Sequence, residues 1–356
     1  MDLYKSLMTI QSLYQTFNRY RTLQTDKISS LPIVILMPHS ACNCRCVMCD
    51  IWKGNQNLKQ LTENDISGLL HSLKKFGTQQ VLMSGGEALL NPNFFSFCEI
   101  LKKEKIKISL LSTGLTLKKN AAQLVQWVDD IIVSLDGDEL LHDAIRNIPG
   151  AFNKLKEGIS AIRSINPAFK ITGRTVIHKI NYLNWFRIID SAKEIGLHKI
   201  SFLPADVSST AFNREIPWGE DRQEELLLTK IDLVELKKII DELLIKYNDD
   251  LKNNFIAESP EKIQKIYHYY AAYHGLNDLP YKKCNAPWVS TVIEADGTVR
   301  PCFFHNAYGN IKTDTLNKII NSESAIGFRK NLDMDNNDTC LKCVCYLNLS
   351  PAQHLS

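Results

Sequence analysis

The sequence predicts an α/β fold: a parallel sheet of repeated βα units followed by a small cysteine-rich β-hairpin/α module. Two observations predict it. Between residues 32 and 203, short apolar runs alternate with helical patterns to give six units, the signature of strands joined by helical crossovers. From Cys284 onward the chain carries five cysteines and two β-rich runs that meet at Asp296-Gly297, a strong hairpin signal.

Along the chain, Leu3, Leu7, Ile10 and Leu13 recur at helical spacing, which predicts an amphipathic helix lying on the body of the protein. Tyr, Gln, Asn and Arg interrupt residues 1–25 where a signal peptide needs an unbroken apolar core. Strands are predicted at 33–37, 80–84, 106–111, 130–135, 170–177 and 199–203. Between the first two, Thr62 and Asp65 form a capping box, Ile66, Leu69, Leu70 and Leu73 a buried stripe, and Gly77 a C-cap. Further helices are expected near 94–103, 120–127, 153–164, 184–195 and 229–247. Pro, Asp, Ser and Trp crowd 204–221, which reads as a loop. The expected divisions are an N-terminal helix (1–30), a barrel-like unit (31–220), a helical connector (221–283) and the cysteine-rich module (284–356).

With 356 residues, 44% apolar and 23% charged, the chain can bury a large core. A net charge of +3 with interspersed signs points away from nucleic acid, leaving a small molecule or a peptide as substrate. No run of eighteen apolar residues occurs, so no membrane span and a cytoplasmic location are expected. In a reducing compartment the ten cysteines read as metal ligands or buried apolar residues. Nine fall in two groups. Cys98, on a helical apolar face, reads as core packing.

Cys42, Cys46 and Cys49 form a C-x3-C-x2-C triplet in the loop after the first strand. Three thiolates in one loop can grip three irons of a cubane and leave the fourth open. The alternative is a zinc knuckle, which normally takes a fourth Cys or His at regular spacing; none follows locally. Cys44 adds a thiol inside the loop and is read as a bystander.

Three further motifs follow in order: Ser84-Gly85-Gly86-Glu87 after the second strand, Ser112 and Thr113 after the third, and "SLDGDELLHDAIRN" after the fourth. With the triplet, this set resembles the radical S-adenosylmethionine (SAM) superfamily. The resemblance implies a partial (β/α)6 TIM-like barrel with its site at the C-terminal ends of the strands. It implies that Cys42, Cys46 and Cys49 hold a [4Fe-4S] cluster, with Gly85, Gly86 and Glu87 meeting the SAM ammonium. Ser134 and Arg146 would hold the SAM carboxylate, Ser112 the ribose or methionine part, and Met48 would lie beside the adenine, or else fill core. Asp136 and His142 have weaker claims.

The second cysteine group resembles the SPASM and Twitch extensions of that superfamily. By motif, Cys284, Cys302, Cys340 and Cys343 would hold an auxiliary [4Fe-4S] cluster, in the single-cluster Twitch manner, with Cys345 spare. A zinc ribbon is the alternative. Phe303 stands where anaerobic sulfatase-maturing enzymes carry an Asp, which argues against that substrate class. The implied chemistry is reductive cleavage of SAM to a 5′-deoxyadenosyl radical that takes hydrogen from substrate, with an electron donor such as flavodoxin or ferredoxin. The substrate reads first as a peptide undergoing modification, with a sugar or small cofactor precursor as alternative. A non-catalytic metal-binding or electron-transfer protein is the third reading. No catalytic side chain is assigned; Arg174, His178, Asp206 and the aromatic run 267–273 are candidate substrate contacts.

Overall fold

A computed structural model of the protein describes residues 2–214 and 216–353, with side chains from residue 13 onward. Its elements are α1 (Asp2–Thr25), β1 (Ile33–Leu36), α2 (Glu63–Lys75), β2 (Gln80–Met83), α3 (Phe94–Lys103), β3 (Lys107–Ser112), α4 (Leu117–Trp127), β4 (Asp130–Ser134), α5 (Glu139–Arg146), α6 (Ala151–Ile165), β5 (Lys170–Ile177), α7 (Trp185–Glu194) and β6 (Lys199–Pro204). The connector holds α8 (Glu220–Glu224), α9 (Lys230–Lys246), α10 (Asn248–Lys252) and α11 (Pro260–Ala272). Then come α12 (Ala286–Val289), β7 (Ser290–Ile293), β8 (Thr298–Arg300), β9 (Gly309–Asn310), α13 (Leu316–Ile320), α14 (Glu323–Asn331) and α15 (Asp338–Lys342).

All six expected strands form, and β1 to β6 lie side by side in parallel in chain order. The fold is the expected mixed α/β architecture. The sheet continues past β1: β7 pairs with it in parallel, followed by β8 and β9, giving nine strands in one sheet. Sequence analysis placed the hairpin in a separate module; this pairing joins the module to the barrel edge.

Side chains alternate across each strand. Val34, Leu36, Val81, Met83, Ile108, Leu110, Ile131 and Val133 face the helical layer and form the main core with Ile66, Leu69 and Leu73 of α2. Ile33 and Ile35 face the other way, onto Trp288, Val292 and Leu349. The Thr62–Asp65 capping box forms as expected. The turn at Gly297 takes φ +90°, a region that favours glycine.

Of the predicted apolar stripe on α1, Leu3, Leu7 and Ile10 lie outside the described side chains, and Leu13 is 64% exposed. Leu23 of this helix packs against the Trp288 cluster, and polar contacts add to it. Arg19 donates to Gln353 O (2.5 Å) and Gln79 Oε1 (2.8 Å), and Thr22 Oγ1 accepts from Ser29 N (2.9 Å). Among the described residues, no helix is long and apolar enough to cross a membrane.

The aromatic run 267–273 pins strand ends. Tyr270 accepts from Ala205 N (2.8 Å) and donates to Ile177 O, while Tyr269 donates to Ala205 O (3.0 Å). Nearby, Glu258 accepts from Phe202 N of β6 (3.0 Å), and burial pushes its carboxyl from 4.5 up to about 7. The folded state therefore binds this proton more tightly, and stability is lost as pH rises from about 4.5 through about 7. Glu258→Gln should flatten the fall in urea midpoint over that interval; a profile parallel to wild type would contradict the burial.

Candidate active site and auxiliary cysteine site

The loop carrying the cysteine triplet leaves the C-terminal end of β1 and is tied down on two sides. Asn55 clasps Cys42, accepting from its N–H (3.0 Å) and donating to its carbonyl (2.8 Å). Arg45 N and Val47 N donate to Arg146 O (3.1 Å) and Ile145 O (3.0 Å) at the end of α5. Glu87 N donates to Ala41 O (2.9 Å), and a Cβ on Gly86 would sit 2.1 Å from that oxygen. Gly86 thus lets two backbones touch, and Gly85 takes φ +108° beside them. This close approach docks the cysteine loop against the end of β2.

The sulfurs are provided with donors. Cys42 and Cys49 each accept an N–H from two residues on, Cys44 and Ile51, at 3.5 Å. Arg146 Nη1 donates to Cys46 Sγ (3.4 Å). A hydrogen bond from the Cys44 thiol, helped by the Arg146 charge against the cost of burial, lowers Cys46 to about 6. Burial pushes Cys42 and Cys49 up to about 12, and a bound metal would remove their protons outright. Cys44 is buried, and its N–H is the one given to Cys42. Cys98 packs on the buried face of α3 as expected.

Glu87, Ser112 and Thr113 come together. The Glu87 carboxylate is fully buried and accepts from Thr113 N (2.8 Å), Thr113 Oγ1 (2.8 Å), Ser112 Oγ (3.0 Å) and Leu89 N (3.3 Å). Thr113 Oγ1 also reaches Asn43 in the cysteine loop (2.9 Å). Glu87 thereby ties the ends of β2 and β3 together.

Arg146 is likewise committed. It forms a buried ion pair with Asp136 and bonds Cys46, with only its Nε lacking a partner. Ser134, at the end of β4, stands in register with Arg174 of β5. His142 Nδ1 accepts from Asp136 N (3.2 Å) and His178 Nδ1 from Ile180 N (3.3 Å), which leaves the proton on each Nε2. Desolvation lowers both rings to about 3, so they are neutral. Arg146 Nε, His142 Nε2 and His178 Nε2 are buried without a protein partner. A polar cofactor would satisfy such donors.

Met48 packs with Val47 and Val176 against Ala205, Val207 and Trp218. Asp206 is buried in an ion pair with Arg214 (2.9 Å), which stacks 3.7 Å from the Trp218 ring, and Trp218 Nε1 donates to Asp50 Oδ2 (2.7 Å) just after Cys49. Sequence analysis missed Arg214 and Trp218; the pile-up of Pro, Asp and Trp marked only a loop.

All five C-terminal cysteines line one cavity of about 490 Å³, together with Lys282, Phe304 and His305. A cleft of about 180 Å³ between Asp206, Ser209, Asp338 and Lys342 shares Phe304, Thr339 and Cys343 with it. Cys284 Sγ accepts from Ala286 N (3.5 Å), repeating the pattern of the first loop. Among the described residues, no three His, Cys, Asp or Glu side chains gather closely enough to share one metal ion.

The parallel α/β sheet thus presents a three-cysteine loop at its strand ends, and a second group of cysteines lines a cavity in the C-terminal module. Residues 36–192 match the radical SAM superfamily, and residues 284–344 the SPASM iron-sulfur cluster-binding domain. The chain belongs to the radical SAM superfamily and carries a SPASM module. Membership implies a [4Fe-4S] cluster, SAM and an auxiliary cluster. The chain is 25% identical to AdoMet-dependent heme synthase of Methanosarcina barkeri over 52% of its own length, and 23% identical to the subtilosin biosynthesis protein AlbA of Bacillus subtilis over 79%. It spans 57% of the length of each of these relatives. SuiB of Streptococcus suis, solved with precursor peptide SuiA, shares the fold: TM-score 0.64, 15% identity, 92% of this chain and 73% of that one.

Gly86→Ala should displace the cysteine loop while leaving secondary structure intact. After anaerobic reconstitution it should hold about four fewer irons per chain than wild type; a full iron content would contradict the close-approach role of Gly86.

Proposed function

We propose that the protein modifies a peptide by radical SAM chemistry, with Cys42, Cys46 and Cys49 holding the SAM-binding cluster and Cys284, Cys302, Cys340 and Cys343 the auxiliary one. The supporting observation is that the cavity of the C-terminal cysteines and the cleft beside Asp206 lie side by side, with Phe304, Thr339 and Cys343 lining both. Two adjoining openings give successive residues of a peptide separate places to sit. That AlbA and SuiB act in bacteriocin biosynthesis and bind a precursor peptide respectively agrees with this reading.

When bound, the cluster and SAM supply a 5′-deoxyadenosyl radical able to take hydrogen from substrate. The chain does the rest. Gly86 and Asn55 seat the thiol loop, and Arg146 donates to the Cys46 sulfur. Neutral His142 and His178, with the Arg146 Nε, offer donors to the polar groups of SAM. The Asp206–Arg214–Trp218 stack covers the Cys49 end of the loop and excludes water there. The Phe304 and Thr339 wall shared by the two openings would hold the substrate across both.

A small cofactor precursor is the second reading, favoured by the heme synthase relative. Coexpression with a short peptide encoded beside the gene, followed by mass spectrometry, separates the two. The peptide reading predicts a mass change that disappears with Cys42→Ala. An unmodified peptide, with 5′-deoxyadenosine release stimulated only by a tetrapyrrole or sugar, would overturn it.

A further inference from the structure

Among the cysteines assigned to the auxiliary cluster, Cys284 receives a backbone N–H from Ala286 (3.5 Å), Cys302 receives one from Phe304, and the Cys343 thiol donates to Cys345 O (3.0 Å). Cys340 is different. It lies inside the helical turn of α15, where Leu341 N serves Asn337 O (2.9 Å) and Cys343 N serves Cys340 O (3.3 Å). Its sulfur instead faces His305, whose Nε2 stands 3.3 Å away. The imidazole follows Cys302 by one tight turn, and its ring is held edge-on against Phe328 at 5.0 Å.

A second side chain enters the same cavity. Lys282 Nζ donates to Leu341 O (2.6 Å), next to Cys340, and the charges around it are those of Cys343, Cys340, Lys265 and Cys284. Its stem runs by the ring of Tyr269, with Nζ 5.8 Å from the ring centre. Lys282 thus stands among the sulfurs as a fixed cation on the wall of the cavity.

We propose that His305 and Lys282 set the reduction potential of the auxiliary cluster, His305 by donating Nε2–H to the Cys340 sulfur and Lys282 by holding positive charge beside Cys284, Cys340 and Cys343. The inference rests on the reading that these cysteines hold that cluster. Hydrogen bonds to cluster sulfurs and nearby net charge are levers on such potentials. The reduced cluster carries one more negative charge than the oxidised one, so a donor and a cation both favour reduction. In a chain where the auxiliary cluster accepts an electron from substrate, these two residues are positioning groups for that transfer.

The test uses the full chain carrying Cys42/Cys46/Cys49→Ala, reconstituted anaerobically, with iron and sulfide counted before a redox titration followed by electron paramagnetic resonance. About four irons per chain should be found. Lys282→Gln and His305→Phe should each keep them and make one-electron reduction about tenfold less favourable, about 59 mV more negative. Lys282→Arg and His305→Gln should restore most of the difference. No iron in the parent overturns the cluster reading and the proposal with it. Four irons with unchanged potentials overturn the proposal alone. Iron lost from His305→Phe while Lys282→Gln keeps the parent potential also overturns it, and makes His305 a packing residue.

Discussion

Because β1 is paired on both edges, with Ile33 opposite Gln80 on one side and Ser290 on the other, it is the reference from which both cysteine sites are placed. Its C-terminal end launches the loop of Cys42, Cys46 and Cys49, and β2 on one side brings Gly86 and Glu87 to meet that loop. On the other side β7 fixes the start of the hairpin whose far strand leads to Cys302 and His305. A central strand buried on both faces tolerates no slip, since a one-residue shift would turn its apolar set out of the core. The spacing between the two cysteine sites is therefore set by backbone hydrogen bonds in one sheet, not by a flexible joint.

On that frame the polar groups near the cysteines are almost all engaged. Glu87 accepts from the ends of two strands, and Arg146 is shared between Asp136 and Cys46. A buried pair of this kind adds little stability by itself, whereas removing one partner leaves a buried charge uncompensated at about 3–5 kcal/mol. Its value lies in geometry: the guanidinium can rest in only one place. Donors on Arg146, His142 and His178 are among the buried ones left without protein partners, as are Trp52 Nε1 and Arg214 Nε near the Cys49 end of the loop.

The parts legible in the sequence were those carried by local pattern. The six strands, the Thr62–Asp65 box and the Asp296-Gly297 turn follow from periodicity and turn chemistry within a few residues. The cysteine spacings and the Gly85-Gly86-Glu87 run marked the sites for the same reason. What could not be read was non-local. The parallel pairing of β7 with β1 joins the two ends of the chain, and nothing in "STVI" distinguishes it from an isolated hairpin strand. The role of Gly86 depends on Ala41 arriving beside it, and the partner of Asp206 depends on a loop folding back. The hydrogen bonds of Glu87 to the end of β3, and of Arg146 to Asp136 and Cys46, likewise depend on distant segments meeting. His305 escaped notice because a lone histidine after a cysteine carries no spacing signal.

The central claim is that the loop of Cys42, Cys46 and Cys49 holds an iron-sulfur cluster with a position open to SAM. Electron paramagnetic resonance of the dithionite-reduced protein, with and without SAM, tests it most directly. The account predicts that SAM shifts the cluster signal that Cys42→Ala abolishes, while the remaining signal is unmoved. A spectrum indifferent to SAM, or a SAM response that survives Cys42→Ala, would contradict it.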